Sequence, residues 1–190
     1  MVEIIDFDVQ ATTIDGLALI RMKQVREERG TVREFYRASA FEAAGLPLPA
    51  FRQVNVTETM PGAIRGMHGE SMVKLIAIAH GTAWGAWVDA RAGSPTEGAV
   101  FQAALEPGTQ ILVPEGVCNG FQSTGATPTQ YVYCFTEEWT PAMAGVALTP
   151  LDPALGIAWP VPVDVEDRAQ ISAKDLAAPT LAEVLGRADA

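Results

Sequence analysis

Histidine and cysteine are scarce in this 190-residue sequence, which has two of each. The cysteines, Cys118 and Cys134, have neither the CxxC spacing of a metal or redox site nor the density of a disulfide framework. We therefore expect buried thiols in a reducing compartment. A metal held by several imidazoles and a carboxylate needs more histidines than the chain has. The counts alone disfavour a histidine-rich metal centre.

The chain also lacks a long apolar run and an excess of positive charge. No run is long enough to span a bilayer, and residues 1–6 lack the basic region of a signal peptide, so we expect a cytoplasmic protein without a membrane partner. The net charge is −10 and the basic residues do not cluster, which disfavours nucleic acid as a partner. An anionic nucleotide is still compatible with this charge, because a few cations in a cleft can override the overall field.

The middle of the chain has the pattern of a β-rich fold. Between residues 53 and 135, short runs of Val, Ile, Trp, Phe and Tyr are separated by turn signals at residues 61–62, 80–82, 93–95, 107–108 and 124–125. Short strands at this spacing predict a β-sandwich or barrel. Residues 73–79 are apolar on both alternating faces, which predicts a strand covered on both sides.

Helical patterns are confined to two short segments. Residues 34–44 form the first, ended by Gly45, and residues 180–187 form the second, where Thr180 and Glu183 are spaced as a capping box. The proline-rich residues 150–162 predict a non-repetitive segment lying over the core. With 48% hydrophobic residues, the length suits one domain over residues 1–190, closed by its C-terminal segment.

His68 is the first candidate for chemistry, because residues 65–68 read RGMH and place a proton-transfer group beside the permanent cation Arg65. A histidine on a strand can equally be an ordinary core or surface residue. Strict alternation puts Arg65 and His68 on opposite faces, unless Gly66 permits a bulge. His80 falls in a predicted exposed turn, and we assign it no role.

Acid–base chemistry next to a ketone needs three groups: a base, a cation or donor for the enolate oxygen, and an acid on the other face. His68, Lys74 and Tyr133 have suitable side chains for these roles. From the residues alone, Lys74 as a solvated strand residue and Tyr133 as a core aromatic are open alternatives.

Four motifs occur in a fixed order: RGMH at residues 65–68, PEGVCNGF at 114–121, DPALGIAWP at 152–160 and ISAKD at 171–175. Together they resemble the dTDP-4-dehydrorhamnose 3,5-epimerase family of RmlC-like cupin enzymes, over about residues 17–181. The resemblance implies a mainly-β cupin jelly-roll β-sandwich barrel with short flanking helices. It also implies a homodimer with a shared active site, and epimerisation at C3, C5 or both of a dTDP-linked 4-keto-6-deoxyhexose, without cofactor or metal.

The resemblance also implies roles for individual residues. His68 matches the family base, Asp175 the carboxylate that pairs with its ring, Lys74 the lysine near the keto oxygen, and Tyr133 the acid on the opposite sugar face. Positions matching contacts to nucleotide and sugar are Arg29, Glu34, Gln53, Asn55, Arg65, Asn119, Glu138 and Lys174. Arg29 and Arg65 would hold the diphosphate, because arginine binds phosphate with a two-pronged fork.

Several positions depart from the family pattern. Asn119 stands where the family usually has histidine, and Gly85 where it has that histidine's aspartate partner, so both members of a hydrogen-bonded pair are missing together. Glu70 replaces a common glutamine, while Val32 and Glu138 replace common aromatic residues. These changes leave two alternatives: an epimerase acting at a single carbon in an unusual deoxysugar pathway, and a non-catalytic sugar-nucleotide binding protein. The second is disfavoured because a binder needs no acid–base set.

Overall fold

A computed structural model describes residues 1–186 and is built mainly from antiparallel β-strands. In chain order the strands are Glu3–Ile5 (β1), Asp8–Ala11 (β2), Ala18–Arg21 (β3), Gln24–Glu27 (β4), Gly30–Arg33 (β5), Gln53–Thr59 (β6), Ile64–Glu70 (β7), Lys74–His80 (β8), Ala83–Asp89 (β9), Val100–Leu105 (β10), Thr109–Val113 (β11), Val117–Ser123 (β12), Thr129–Phe135 (β13) and Gly145–Ala147 (β14). They form a six-stranded sheet (β2-β3-β11-β8-β13-β6), a five-stranded sheet (β10-β9-β12-β7-β14) and a small sheet (β1-β4-β5). The predicted mainly-β fold is confirmed.

The main core lies between the two larger sheets. Phe121 of β12 stacks on Tyr131 of β13 with ring centroids 4.0 Å apart, which joins one sheet to the other. Trp87 and Ile76 belong to the same buried cluster. The apolar residues of both sheets thus alternate inward, as in a sandwich.

Two further apolar clusters cover the outer faces of these sheets. Leu75 and Cys134 of the six-stranded sheet pack with Phe41 from the N-terminal part of the chain. This contact explains why residues 73–79 are apolar on both faces, as predicted. On the five-stranded sheet, Leu155 and Trp159 pack over the outer surface, so the proline-rich segment covers the core as expected.

The turn signals of the sequence are confirmed, since four of the five fall between consecutive strands and the fifth, residues 80–82, begins on the last residue of β8. His80, predicted in a turn, is the exposed last residue of β8, directly before the turn. The strands between residues 3 and 33 had no clear signal, because they are short and several of their residues are exposed.

The helical predictions need correction in length and number. The first helix spans only Ala38–Ala43 (α1), because Glu34 donates its backbone N–H to Lys23 O and Arg37 is extended. The second spans Leu181–Val184 (α3), with the predicted capping box present, while Arg187 lies outside the described residues. A one-turn helix at Ala173–Leu176 (α2) was not predicted. Within residues 1–186, no helix is long and apolar enough to cross a membrane.

Candidate active site

A cleft of about 560 Å³ opens between the two larger sheets and holds most of the candidate residues. One wall comes from β6, β8 and β13, the other from β7, β12 and β14, and α2 closes one side. The candidate residues that line it are Asn55, Arg65, His68, Lys74, Asn119, Tyr133, Lys174 and Asp175. Residues separated by up to 120 positions in sequence therefore share one cleft.

His68 and Asp175 form a close pair in this cleft. Nε2 of His68 lies 2.8 Å from Oδ1 of Asp175. Burial by itself would raise the pKa of Asp175, but hydrogen bonds from His68 and Ser172 hold that pKa below its ordinary value. An ionised carboxylate accepts the proton on Nε2, which leaves Nδ1 to carry the lone pair of a base.

The position of Asp175 follows from local sequence. Ser172 caps α2 by accepting a hydrogen bond from the backbone N–H of Asp175. The short helix lies against β7 and contributes both Lys174 and Asp175 to the cleft. The SAKD sequence thus provides a cap and a catalytic candidate within one turn.

Arg65 and His68 line the same cleft although they are three positions apart on one strand, a spacing that normally puts side chains on opposite faces. Gly66 has φ +102°, and the pairing of β7 with β12 shifts register at this point. A Cβ at Gly66 would lie 2.6 Å from the carbonyl oxygen of Asn119, so only glycine fits. The irregularity in strand pairing that the sequence analysis allowed at Gly66 is present.

Lys74 is buried, with 3% of its surface exposed, and is not a solvated strand residue. Its Nζ donates to the Oδ1 of Asn119 at 2.7 Å, to the backbone oxygen of His68 at 3.2 Å and to the carboxylate of Glu70. Burial lowers the pKa of Lys74, and the adjacent Glu70 charge opposes that shift. The Lys74 amine thus lies beside the His68 backbone and the Glu70 carboxylate.

Tyr133 lies on β13, on the wall opposite His68, which is on β7. Burial raises the pKa of its phenol, while Arg65 acts in the opposite direction. A phenol with a raised pKa keeps its proton at neutral pH and can donate it. The imidazole of His68 and the phenol of Tyr133 thus face the cleft from two walls, with the Lys74 amine nearby.

Four candidate residues do not line the cleft. Arg29 is exposed on the β4–β5 hairpin, where it pairs with Glu27, and Glu34 pairs with Arg37. Gln53 reaches the cleft only indirectly, by hydrogen bonds to Asn55 and to the backbone of Trp139. Glu138 is exposed beside that tryptophan.

Sequence reasoning missed one segment that lines the cleft. Residues 139–147 contribute Trp139, Met143 and the β14 strand. The sequence signal for this segment was Trp139, an aromatic residue in an otherwise polar stretch. Glu70 was noted only as a departure from the family pattern, yet its carboxylate contacts Lys74.

Among residues 1–186, no group of three or more His, Cys, Asp or Glu side chains is arranged to hold a metal ion. What the cleft brings together is a carboxylate-bound imidazole, a buried lysine amine and a phenol. A β-sandwich with this set defines a class of enzyme that moves protons to and from carbon.

Comparison with known proteins gives the family. The model of the dTDP-4-dehydrorhamnose 3,5-epimerase family matches residues 11–183. The Salmonella typhimurium dTDP-4-dehydrorhamnose 3,5-epimerase is 32% identical over 180 residues, covering 92% of this chain and 95% of that protein. The Streptomyces bikiniensis dTDP-4-dehydro-6-deoxyglucose 3-epimerase is 34% identical over 163 residues, covering 82% and 80%.

A solved structure agrees with this result. The Legionella pneumophila dTDP-6-deoxy-D-glucose-3,5-epimerase, in complex with dTDP-4-keto-L-rhamnose, superposes with a TM-score of 0.83 at 31% identity, covering 97% of this chain and 100% of that one. The chain belongs to the dTDP-4-dehydrorhamnose 3,5-epimerase family. The expected class, a carbohydrate epimerase, is confirmed.

Proposed function

We propose that this protein epimerises C3, C5 or both in a dTDP-linked 4-keto-6-deoxyhexose, without a cofactor or metal. The observation that carries the proposal is the His68–Asp175 pair in a cleft that also holds Lys74 and Tyr133. A binding protein has no need for this set, whereas removal and return of a proton next to a ketone requires each member.

The proposed mechanism follows from the positions of these side chains. Nδ1 of His68 takes the proton from the carbon beside the ketone, and the Asp175 carboxylate steadies the imidazolium that forms. The Lys74 ammonium stabilises the enolate oxygen. Tyr133 then delivers a proton to the other face of the carbon, and the product has inverted configuration.

The nucleotide is assigned to the cationic side of the cleft. Arg65 donates to Thr59 Oγ1 at 2.8 Å and to the Glu58 backbone oxygen, which fixes its guanidinium at the rim. Lys174 lines the cleft from α2. With Arg65, it gives two cations for a diphosphate, and Asn55 adds a polar contact on β6.

A homodimer with a shared site is part of the proposal. Arg29, Glu34 and Glu138 do not line the cleft of their own chain, so any contact they make with the substrate needs a partner subunit. Val54 and Val56 on the edge strand β6 are 60% and 63% exposed. An apolar, unpaired edge beside the cleft is a surface that a second copy can cover.

We further propose that residues 1–190 form one domain of the cupin jelly-roll type and that the protein is cytoplasmic. The N-terminal and C-terminal segments both pack on the sheets that form the cleft, which supports one domain. Cys118 and Cys134 are both buried free thiols, which supports a reducing compartment.

Action at a single carbon is the second candidate. It is favoured by Asn119, because a carboxamide is too weakly basic to serve as a second base, and its oxygen accepts a hydrogen bond from Lys74. The Streptomyces bikiniensis relative is named as a 3-epimerase, which makes this scope plausible for the present chain.

Incubation with dTDP-4-keto-6-deoxyglucose in deuterated water tests the proposal. We expect deuterium at C3, C5 or both, and NMR of the sugar identifies which carbon exchanges. Exchange that persists after exhaustive chelation supports the metal-free mechanism. Exchange that is lost on chelation and restored by one divalent ion contradicts it.

A further inference from the structure

The amine of Lys74 has an acceptor for each of its three possible protons. These acceptors are the Glu70 carboxylate, the Asn119 amide oxygen at 2.7 Å and the His68 backbone oxygen at 3.2 Å. An ammonium donates three hydrogen bonds, whereas a neutral amine donates two and presents a lone pair. A neutral Lys74 would therefore leave one buried acceptor facing a lone pair. The acceptor set favours the charged form.

Glu70 is fixed at this position by its backbone. Its carbonyl oxygen accepts hydrogen bonds from Met72 N at 2.8 Å and Gly116 N at 3.2 Å. Gly145 of β14 is its partner on the other side. Only residues 71–73 connect β7 to β8, so this short link brings the Glu70 carboxylate to the Lys74 amine.

We propose that Glu70 is a positioning residue that keeps the buried Lys74 in its ammonium form, while Asn119 completes the set of acceptors. The stabilisation of the enolate oxygen by Lys74 then depends on Glu70, which acts through Lys74. This inference rests on the proposed function for its catalytic consequence, although the charge state of Lys74 can be measured without substrate.

The other ionisable groups around Lys74 do not replace Glu70. The thiol of Cys118, on β12, has a pKa raised by burial to about 12 and is therefore neutral. Tyr133, on β13, is neutral because burial raises its pKa as well. Asp175, on α2, is engaged by His68. Burial favours the neutral amine of Lys74, and the Glu70 charge opposes this effect. When the Glu70 charge is removed, none of these other groups provides a contacting anion to oppose burial.

The sequence makes a direct measurement practical, because it contains only three lysines: Lys23, Lys74 and Lys174. Labelling lysine with ¹³C at the ε carbon gives one NMR signal for each, and Lys23→Arg and Lys174→Arg variants identify the Lys74 signal by elimination. The titration of that signal is followed in wild type, Glu70→Gln, Glu70→Asp and Glu115→Gln. Glu115 is exposed and does not line the cleft, so its variant controls for the change in net charge.

We expect Glu70→Gln to lower the Lys74 titration midpoint by about 1 to 3 pH units, the usual effect of an opposite charge in contact. Glu70→Asp retains the charge and should restore part of the shift, whereas Glu115→Gln should match wild type. An unchanged Lys74 midpoint in folded Glu70→Gln overturns the proposal. If that variant does not fold, Glu70→Asp provides the test, because its shorter side chain places the carboxylate farther from the Lys74 amine. A Lys74 midpoint in Glu70→Asp that is identical to wild type then overturns the proposal.

Activity then separates this inference from the proposed function. The cation is present below the Lys74 pKa and lost above it, so the alkaline limb of kcat/KM should move to lower pH in Glu70→Gln by the same amount as the NMR midpoint. A shifted midpoint with an unmoved alkaline limb overturns the role of Glu70 in the reaction. A wild-type protein that lacks exchange activity, yet shows the shifted midpoint, contradicts the proposed function and supports the charge assignment alone.

Discussion

The imidazole of His68 and the carboxylate of Asp175 are 107 residues apart in sequence and 2.8 Å apart in the cleft. The side chain of His68 is 37% exposed and that of Asp175 only 9%, so the ring is open to the cleft while its partner lies behind it. The arrangement resembles other acid–base sites in which a buried carboxylate fixes the tautomer of a histidine.

Replacement of Asp175 by Asn should slow solvent exchange by about 10- to 100-fold, the usual effect of losing a group that orients a functional histidine. The affinity for dTDP should change little, because the Asp175 carboxylate faces the imidazole. Exchange kinetics and dTDP titration measure the two effects. Asp6→Asn, at an exposed site, is the matched control. A loss of nucleotide affinity without a loss of exchange rate would contradict this role.

Tyr133→Phe separates proton removal from inversion. If Tyr133 delivers the proton to the opposite face, the variant should still incorporate deuterium, because His68 can return a solvent-derived proton to the face from which it came. The amount of inverted product should fall strongly relative to exchange. NMR of the deuterated sugar gives both quantities. Inverted product at the wild-type rate would remove Tyr133 from the mechanism.

Gly85 has no room for a side chain. A Cβ at this position would lie 2.3 Å from Cη2 of Trp87, which is fully buried. The indole of Trp87 thus occupies the space over Gly85. We expect Gly85→Ala to destabilise the fold by about 1 to 3 kcal/mol through overpacking. Gly125→Ala, at a loop glycine where the nearest atom is 3.2 Å from the added Cβ, should cost less.

The contact with Trp87 makes the effect of Gly85→Ala depend on its neighbour. In a Trp87→Leu background the same glycine change should cost less, so the two substitutions should be less than additive. Denaturant unfolding of the two single variants and the double variant tests this coupling, and strict additivity would contradict it. Introducing an aspartate at position 85 to support Asn119→His therefore requires a smaller residue at position 87.

Asp89 should control the acid stability of the protein. It is fully buried and accepts hydrogen bonds from Arg91, Ser94 and Thr96. Burial would raise its pKa, but these hydrogen bonds outweigh burial and lower the pKa far below the ordinary value. The stability it contributes is complete above the pKa of an unfolded aspartate, about 3.9, and declines as pH falls below it.

Replacement of Asp89 by Asn should lower the free energy of unfolding by about 3 kcal/mol at neutral pH, because it leaves the Arg91 charge without its partner. The difference from wild type should shrink as the pH falls below about 4. Denaturant unfolding at several pH values measures both effects. Asp8→Asn, in an exposed pair with Arg21, should cost less than about 1 kcal/mol. Equal losses at both sites would contradict the argument.

The sequence predicted those parts of the fold that depend on local chemistry. Turn residues separated the strands correctly between residues 53 and 135, and the Thr180–Glu183 capping box is present. The strands before residue 34 were missed because short, exposed strands have little apolar periodicity. Helix α1 begins later than predicted because backbone pairing at Glu34 continues the strand geometry.

The candidate site depended on long-range contacts that the sequence could not specify. The family resemblance suggested that His68 and Asp175 pair, and the geometry agrees, but no local pattern predicts that contact. The three acceptors around Lys74 come from β7 and β12, and they became visible only once these strands were placed. Arg29 was expected at the nucleotide site, yet it pairs with Glu27 on its hairpin and does not line the cleft, which no local pattern could show.

The two histidines of the chain provide the most direct test of the central claim. His68→Asn and His80→Asn are compared with wild type for deuterium incorporation into dTDP-4-keto-6-deoxyglucose, and dTDP binding is measured in parallel. We predict that His68→Asn lowers exchange by about two to four orders of magnitude with little change in dTDP affinity, and that exposed His80→Asn behaves as wild type. Wild-type exchange rates in a folded His68→Asn variant would contradict the account.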